Sequence, residues 1–251
     1  NLYIALYVDD LLIVGGDQDS RNNLIFSLEK TYGTLKKSES NELMYRGLEI
    51  KKLKDGKIIV NQQKYATDLC EDTKIVGTAI VPTSRDFLDI DENSALHPHQ
   101  QYFHKVVARV AWLANQTRPD LRLSSSFLSG RVQNPTNEDY RKLLKVLKYI
   151  NGTKELGLTY HPTQIKLKIE TFADAAHLVH QDARGHTGVL IRLGNGIIHA
   201  ESKKQPLVAQ SSTESELIAL NTATNTTLWA RRLLCELGFP QPTTIVYQDN
   251  L

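Results

Sequence analysis

The feature that most constrains this chain is a change of hydrophobic period along its length. From Gln100 to Ile150 the apolar residues recur at helical spacing, with Leu143, Leu144, Leu147 and Ile150 marking one buried face. The stretches before and after it instead carry short apolar runs bounded by turn residues, the pattern of strands. A chain of this kind is α/β in two or three units, and 251 residues with 41% hydrophobic content suffice to bury real cores.

The first unit is expected to run to about residue 80. Leu2 to Val14 reads as two β-prone arms around Asp9-Asp10, a hairpin with the acidic pair at its turn. Leu24, Ile25, Leu28 and Tyr32 then recur at helical spacing behind cap candidates at 17–20. A second hairpin is expected across Met44 to Val60, because Asp55-Gly56 is a strong turn signal, and a helix from Gln62 to about Asp72 closes the unit.

Between Val81 and His99 the composition shifts to Pro, Ser, Asp and Asn without a clear period, which reads as a linker. A mostly helical second unit, 81–162, follows it, with Asn134-Pro135-Thr136-Asn137 separating two helices. From Ile165 the pattern returns to strands. Lys166 to Asp174 alternates, Gly188 to Ala200 is a hairpin around Gly194-Asn195-Gly196, and Thr243 to Tyr247 is a short last strand. The helix between the last two carries two overlapping capping boxes, Ser211 with Glu214 or Thr213 with Glu216, which leaves its first residue open by two positions. Strands, a helix and a further strand make 163–251 a third unit of mixed sheet and helix.

Bulk charge excludes little. The 30 Lys plus Arg balance 28 Asp plus Glu for a net +2, so a nucleic-acid partner must be argued from local features. Cys70 and Cys235 are far apart and outside any CxxC pattern, which gives neither a disulfide framework nor a cysteine zinc site and suits an intracellular setting. No membrane span or signal peptide is expected, since the longest apolar stretch is broken by Asp9 and Asp10. Both ends fall inside patterned sequence, and the chain reads as a fragment.

Two acidic constellations could carry chemistry. Asp9 and Asp10 project adjacent carboxylates from a rigid hairpin, as a two-metal phosphoryl-transfer site requires, although Asp pairs in turns are ordinarily solvated. Asp174, Glu214 and Asp249 fall within a strand, at a helix start and at a strand end, from which they could converge on one sheet edge and hold divalent ions. Magnesium, or manganese in its place, suits such oxygen donors. Arg141, Lys145 and Lys148, with Arg131 and Lys142 nearby, form a basic helix face that could track duplex phosphates. His177, His180 and His186 are expected at the surface rather than on zinc, and Trp112 and Trp229 in the core. Arg118-Pro119-Asp120 reads as a helix stop followed by a new cap.

An ordered series of motifs gives these residues a context. Tyr7-Val8-Asp9-Asp10-Leu11-Leu12-Ile13, Thr117-Arg118-Pro119-Asp120-Leu121, Asn134-Pro135-Thr136 and the stretch Lys145 to Thr153 resemble, in that order, copia-type long-terminal-repeat retrotransposon reverse transcriptases from the catalytic hairpin into the connecting region. Asp174-Ala175-Ala176, Arg184-Gly185-His186-Thr187-Gly188, Ser202-Lys203-Lys204-Gln205, Ser211 to Glu216 and Tyr247-Gln248-Asp249-Asn250 resemble the ribonuclease H signatures of that family.

The resemblance implies a truncated reverse-transcriptase palm, a helical thumb or connection, and a C-terminally truncated ribonuclease H-like domain. Asp9 and Asp10 would match the paired polymerase aspartates, their earlier partner lying upstream. Asp174, Glu214 and Asp249 would match three ribonuclease H carboxylates, with Glu216 the less favoured alternative to Glu214. It further implies RNA-directed DNA synthesis in a parent polyprotein and two-metal hydrolysis of the RNA strand of RNA/DNA hybrids. Partners would be the hybrid, a primer-template and the remaining polyprotein, in a cytoplasmic virus-like particle or the nucleus. The alternative is a remnant without catalysis that only binds duplex. The oligomeric state stays open.

Overall fold

The computed structural model describes residues 1–162 and 167–249. The expected strand start at Lys166, like Asn250 of the last motif, lies outside the described residues. Strands β1 (Leu2–Tyr7) and β2 (Asp10–Gly15) form the first hairpin, and because Tyr7 faces Asp10 the turn is only Val8 and Asp9. Val8 holds φ 52°, a left-handed conformation that is costly for a β-branched residue. Helix α1 (Gln18–Tyr32) begins where the Asp17 carboxylate accepts the Ser20 N–H at 2.7 Å, and none of its residues is buried.

Strands β3 (Glu42–Tyr45), β4 (Leu48–Lys52) and β5 (Ile58–Asn61) pair antiparallel. β3 was not expected from the sequence. The turn that creates it is Arg46-Gly47, both at positive φ, the two-residue geometry that matches strand twist. A fourth strand, β6 (Gly157–Tyr160), arrives almost a hundred residues later and pairs with β5. Gly157 is required there, since a Cβ would lie 2.4 Å from the Val60 carbonyl oxygen.

Helices α2 (Gln63–Asp72), α3 (Gln100–Gln116), α4 (Arg122–Ser129) and α5 (Asn137–Gly152) bury one continuous core, in which Leu69, Phe103, Val110, Leu113, Leu128 and Leu147 are almost completely covered. Each such side chain contributes on the order of 1.5–3 kcal/mol by leaving water. The break expected at residue 81 therefore falls inside a packed body, and β6 ties residues up to 160 to the first unit's sheet. The supposed linker supplies Phe87, 1% exposed, whose ring meets Phe127 edge-on at 5.5 Å beneath the Lys142 ammonium. One apolar side chain in a polar stretch has no period to betray it.

The remaining strands are β7 (Ile169–Ala176), β8 (His186–Leu193), β9 (Gly196–Lys204) and β10 (Ile245–Tyr247). They form a sheet in the order β10-β7-β8-β9, antiparallel except that β10 runs parallel to β7. Helix α6 (Ser212–Glu236) lies on β7 and β8 through a stripe of small residues, Ala219, Ala223, Thr227 and Ala230. The Thr171 and Thr227 hydroxyls hydrogen bond at 2.7 Å across that contact. Because α6 buries this one stripe, Trp229 falls outside it and is 60% exposed rather than in the core, while Trp112 is half-buried. A core with so many alanines releases less hydrophobic free energy than the helical one, which raises the weight of polar ties. Among the described residues no helix is long and apolar enough to cross a membrane.

The helical body closes on Arg118. The sequence marks this position only as a helix stop, and the 3₁₀ turn Pro119–Leu121 does follow it. Its side chain, however, is 2% exposed. The guanidinium meets both Asp120 carboxylate oxygens at 2.7–3.2 Å and donates to the Thr153 carbonyl at 2.9 Å and the Thr153 hydroxyl at 2.8 Å. Tyr149 lies under the guanidinium and donates its hydroxyl to Asp120 at 2.9 Å. A positive group at the last turn of α5 also complements that helix's dipole.

Removing one partner of such a buried pair strands the others. Arg118→Met is expected to destabilise the chain by about 2–4 kcal/mol in urea denaturation, with Asp120→Asn costing less because Asp120 is one-third exposed. Equal stability of Arg118→Met and the parent would refute this account of the clasp.

Candidate metal centre and basic helix

The register of β10 on β7 positions two acids. Val246 pairs with Thr171 and Tyr247 with Phe172, and the Phe172 and Tyr247 rings stack at 4.9 Å on one face. Two residues farther along each chain, with side chains on the same face, come Asp174 and Asp249. They meet near the C-terminal ends of two parallel strands, where open α/β sheets ordinarily bind ligands.

The third acid comes from α6, and it is Glu216. Asp174, Glu216 and Asp249 bring one carboxylate oxygen each within 4.8 Å of one another, and this is the only grouping of three or more metal-ligating side chains among the described residues. Glu214 is not part of it. Ser211 is the N-cap and accepts the Glu214 N–H at 3.1 Å, while the Glu214 carboxylate accepts the Gln210 N–H at 2.6 Å. The expected roles of the two glutamates are thus exchanged in space. Glu214 serves the helix start, and Glu216, 8% exposed, faces inward. The signal was in the sequence, because Glu216 lies three and seven residues before Ala219 and Ala223 on the buried stripe, and Glu214 does not.

Neutral donors hold Glu216. The Ala175 N–H reaches Oε1 at 3.3 Å and the Gln248 side-chain amide reaches Oε2 at 2.7 Å. Among the described residues no lysine or arginine pairs with any of the three acids, so their negative charge is not neutralised from within. Carboxylate oxygens are the ligands that a hard divalent cation such as magnesium prefers. The donor set therefore fits a hard divalent cation.

Around this cluster the motif residues act as supports. Gln205, 1% exposed, donates to the Thr187 hydroxyl at 3.1 Å and the Ser215 carbonyl at 2.9 Å, joining β8 to the start of α6. His177 meets the Ser215 hydroxyl at 2.9 Å. The histidines are not simply at the surface. His186 is 6% exposed, with one ring nitrogen 2.7 Å from the Ser202 hydroxyl and the other 2.9 Å from His180. Burial, helped by the neighbouring His180, pushes its pKa down to about 4. Burial lowers that of His180 as well.

The other expected site residues lie elsewhere. Asp9 is in the first hairpin's turn and Asp10 begins β2, both exposed, and neither joins a third carboxylate among the described residues. Arg141, Lys145 and Lys148 share α5, which packs on α2 and α4. Arg141 is held bidentately by Glu138 at 2.6 and 2.7 Å, while Lys145 and Lys148 form no ion pair among the described residues. Two companions leave the basic face. Arg131 bonds buried Asp139, and Lys142 is buried with its ammonium on the Asp89 carbonyl, because both brace the N-terminal half of α5.

Comparison with known proteins gives this geometry a lineage. The chain is 30% identical over 231 residues to the uncharacterized mitochondrial protein AtMg00810 of Arabidopsis thaliana, covering 91% of this chain and 94% of that one. It is also 30% identical over 259 residues to the retrovirus-related Pol polyprotein from transposon RE1 of the same plant, covering all of this chain and 17% of the polyprotein. The chain corresponds to a segment of retrotransposon Pol polyproteins. To the Pol polyprotein from transposon TNT 1-94 of Nicotiana tabacum the Pol chain is 27% identical, covering 99% of itself and 19% of that relative. It therefore corresponds to less than one-fifth of the length of these Pol polyproteins. No family model matches it.

Buried His186, with half-buried His180 against it, gives the chain a pH dependence. A histidine whose pKa falls on folding binds its proton more tightly when unfolded, so its stabilising effect is complete above about pH 6.5 and is lost as pH falls toward 4. Urea denaturation is expected to show a loss of about 2 kcal/mol between pH 6.5 and 5, flattened in His186→Gln. The carboxylates with lowered pKa, led by Glu201 at about 2 beside His199, act only below that window. An identical pH profile in His186→Gln would sink the assignment.

Proposed function

We propose that this part of Pol cleaves the RNA strand of RNA/DNA hybrids, with Asp174, Glu216 and Asp249 as the ligands of divalent cations. The convergence of these three acids on one edge of a mixed sheet carries the reading. An order of three antiparallel strands, a helix and a strand parallel to the first is consistent with a ribonuclease H-like unit. Residues 1–160 would then belong to the palm and thumb or connection of a reverse transcriptase, with Asp9 and Asp10 contributing to RNA-directed DNA synthesis in the parent polyprotein.

Magnesium or manganese, when bound, would supply an activated water and neutralise charge at the departing oxygen. The chain's residues provide the frame for that chemistry. Asp174 and Asp249 present exposed oxygens toward solvent and substrate. Glu216, fixed by two hydrogen bonds, contributes an oxygen that does not have to be ordered when the cation arrives. Lys145 and Lys148 are the better candidates for contact with duplex phosphates, since Arg141 is already paired. Such contacts follow backbone charge and duplex shape rather than sequence.

The test is cleavage of a labelled RNA strand in a hybrid with magnesium or manganese. Asp174→Asn and Glu216→Gln are expected to lower the rate by at least about 100-fold, and Glu214→Gln by no more than about 3-fold. Loss with Glu214→Gln and retention with Glu216→Gln would reverse the assignment. Salt-sensitive hybrid binding without cleavage by the unaltered chain would favour a duplex-binding remnant.

A further inference from the structure

We propose that Gln248 is the positioning residue of the acidic cluster, orienting Glu216 toward the cation through its side-chain amide. This rests on the reading of Asp174, Glu216 and Asp249 as metal ligands. The Gln248 amide nitrogen lies 2.8 Å from the Glu216 carbonyl oxygen and 2.7 Å from Oε2, so both of its N–H bonds end on one residue. A single contact would let the carboxylate swing. Two contacts, one to the main chain and one to the side chain, define its direction.

The chemistry of the donor matters as much as its place. Each ionised carboxylate oxygen accepts about two hydrogen bonds, and Glu216 receives one donor on each oxygen, from Ala175 and from Gln248. About one acceptor position per oxygen is left for a cation. Because the amide is neutral, it orients the carboxylate without cancelling the charge that attracts a cation, as a lysine or arginine in the same place would. Outer partners of this kind typically change metal affinity by about 10–100-fold when removed.

Gln248 also precedes Asp249 in the chain and follows β10 directly. Its hold on α6 therefore fixes the segment that delivers Asp249 as well as the carboxylate of Glu216. Two of the three acids depend on one side chain that is not itself a ligand.

Manganese affinity of the whole chain, read from the free-ion electron paramagnetic resonance signal, separates the outcomes. Gln248→Met keeps the length of the side chain and removes the donor. It is expected to weaken manganese binding about 10-fold while leaving the melting midpoint in EDTA at the parental value. Leu193→Ala, which trims a side chain of β8 packed on the second core and leaves β10 untouched, is expected to lower that midpoint and leave manganese affinity unchanged. Asp174→Asn should abolish binding at this site. If Asp174→Asn abolishes binding and Gln248→Met does not weaken it, the role of Gln248 is overturned and the metal centre stands. If Gln248→Met weakens binding only in step with a fall in the midpoint, as Leu193→Ala would then also do, the residue is structural and the proposal fails. If Asp174→Asn leaves manganese binding intact, the metal centre itself is wrong.

Discussion

A guanidinium cannot be taken out of water without partners, and the helical body is arranged around meeting that requirement at Arg118. Asp120 supplies the opposite charge from the turn immediately after it, and Thr153 supplies two oxygens from the far end of α5. The neighbouring Thr117 hydroxyl bonds Gln62, at the start of α2, at 3.0 Å. Thr117 and Arg118, in the short connection between α3 and α4, thus tie it to α2 and to the end of α5. Since β6 begins just after Thr153, the same node fixes where the returning chain meets the first sheet. The energy of a buried ion pair is a poor source of net stability, but its geometric demand is strict, and here it specifies how elements distant in sequence meet.

The second body solves a similar problem with weaker means. Its helix faces the sheet with alanine and threonine, which permits close approach and leaves little apolar area to release. Polar ties make up the difference, among them Thr171 to Thr227, Gln205 to Ser215 and the histidine pair against Ser202. Gln205 and His177 both bond Ser215, which precedes Glu216 in α6, so ties that hold this helix also hold the acid it supplies.

Much of this was legible in the sequence, and the failures have physical causes. Strands, helices and some of their caps followed from local patterns, as at 17–20, where Asp17 caps α1. What periodicity cannot report is the environment of a single side chain. Arg118 read as punctuation because burial of one charged group leaves no pattern. Phe87 was lost in a polar stretch, and Trp229 was placed inside because an aromatic at helical spacing is ordinarily core. Glu214 and Glu216 were distinguishable, since they differ in phase with the alanine stripe of α6.

The strand that completes the acidic cluster is three residues long and lies at the edge of its sheet. Short edge elements are the first to exchange their amide protons, because they open without disturbing the rest of the fold. Release of β10 would carry away Asp249 and the Gln248 amide together and leave Glu216 with only the Ala175 N–H. If the three acids hold a cation as proposed, its affinity depends on one small cooperative unit rather than on global folding. A cation bound across that unit would stabilise the docked strand by mass action, so ion concentration and strand order are thermodynamically linked.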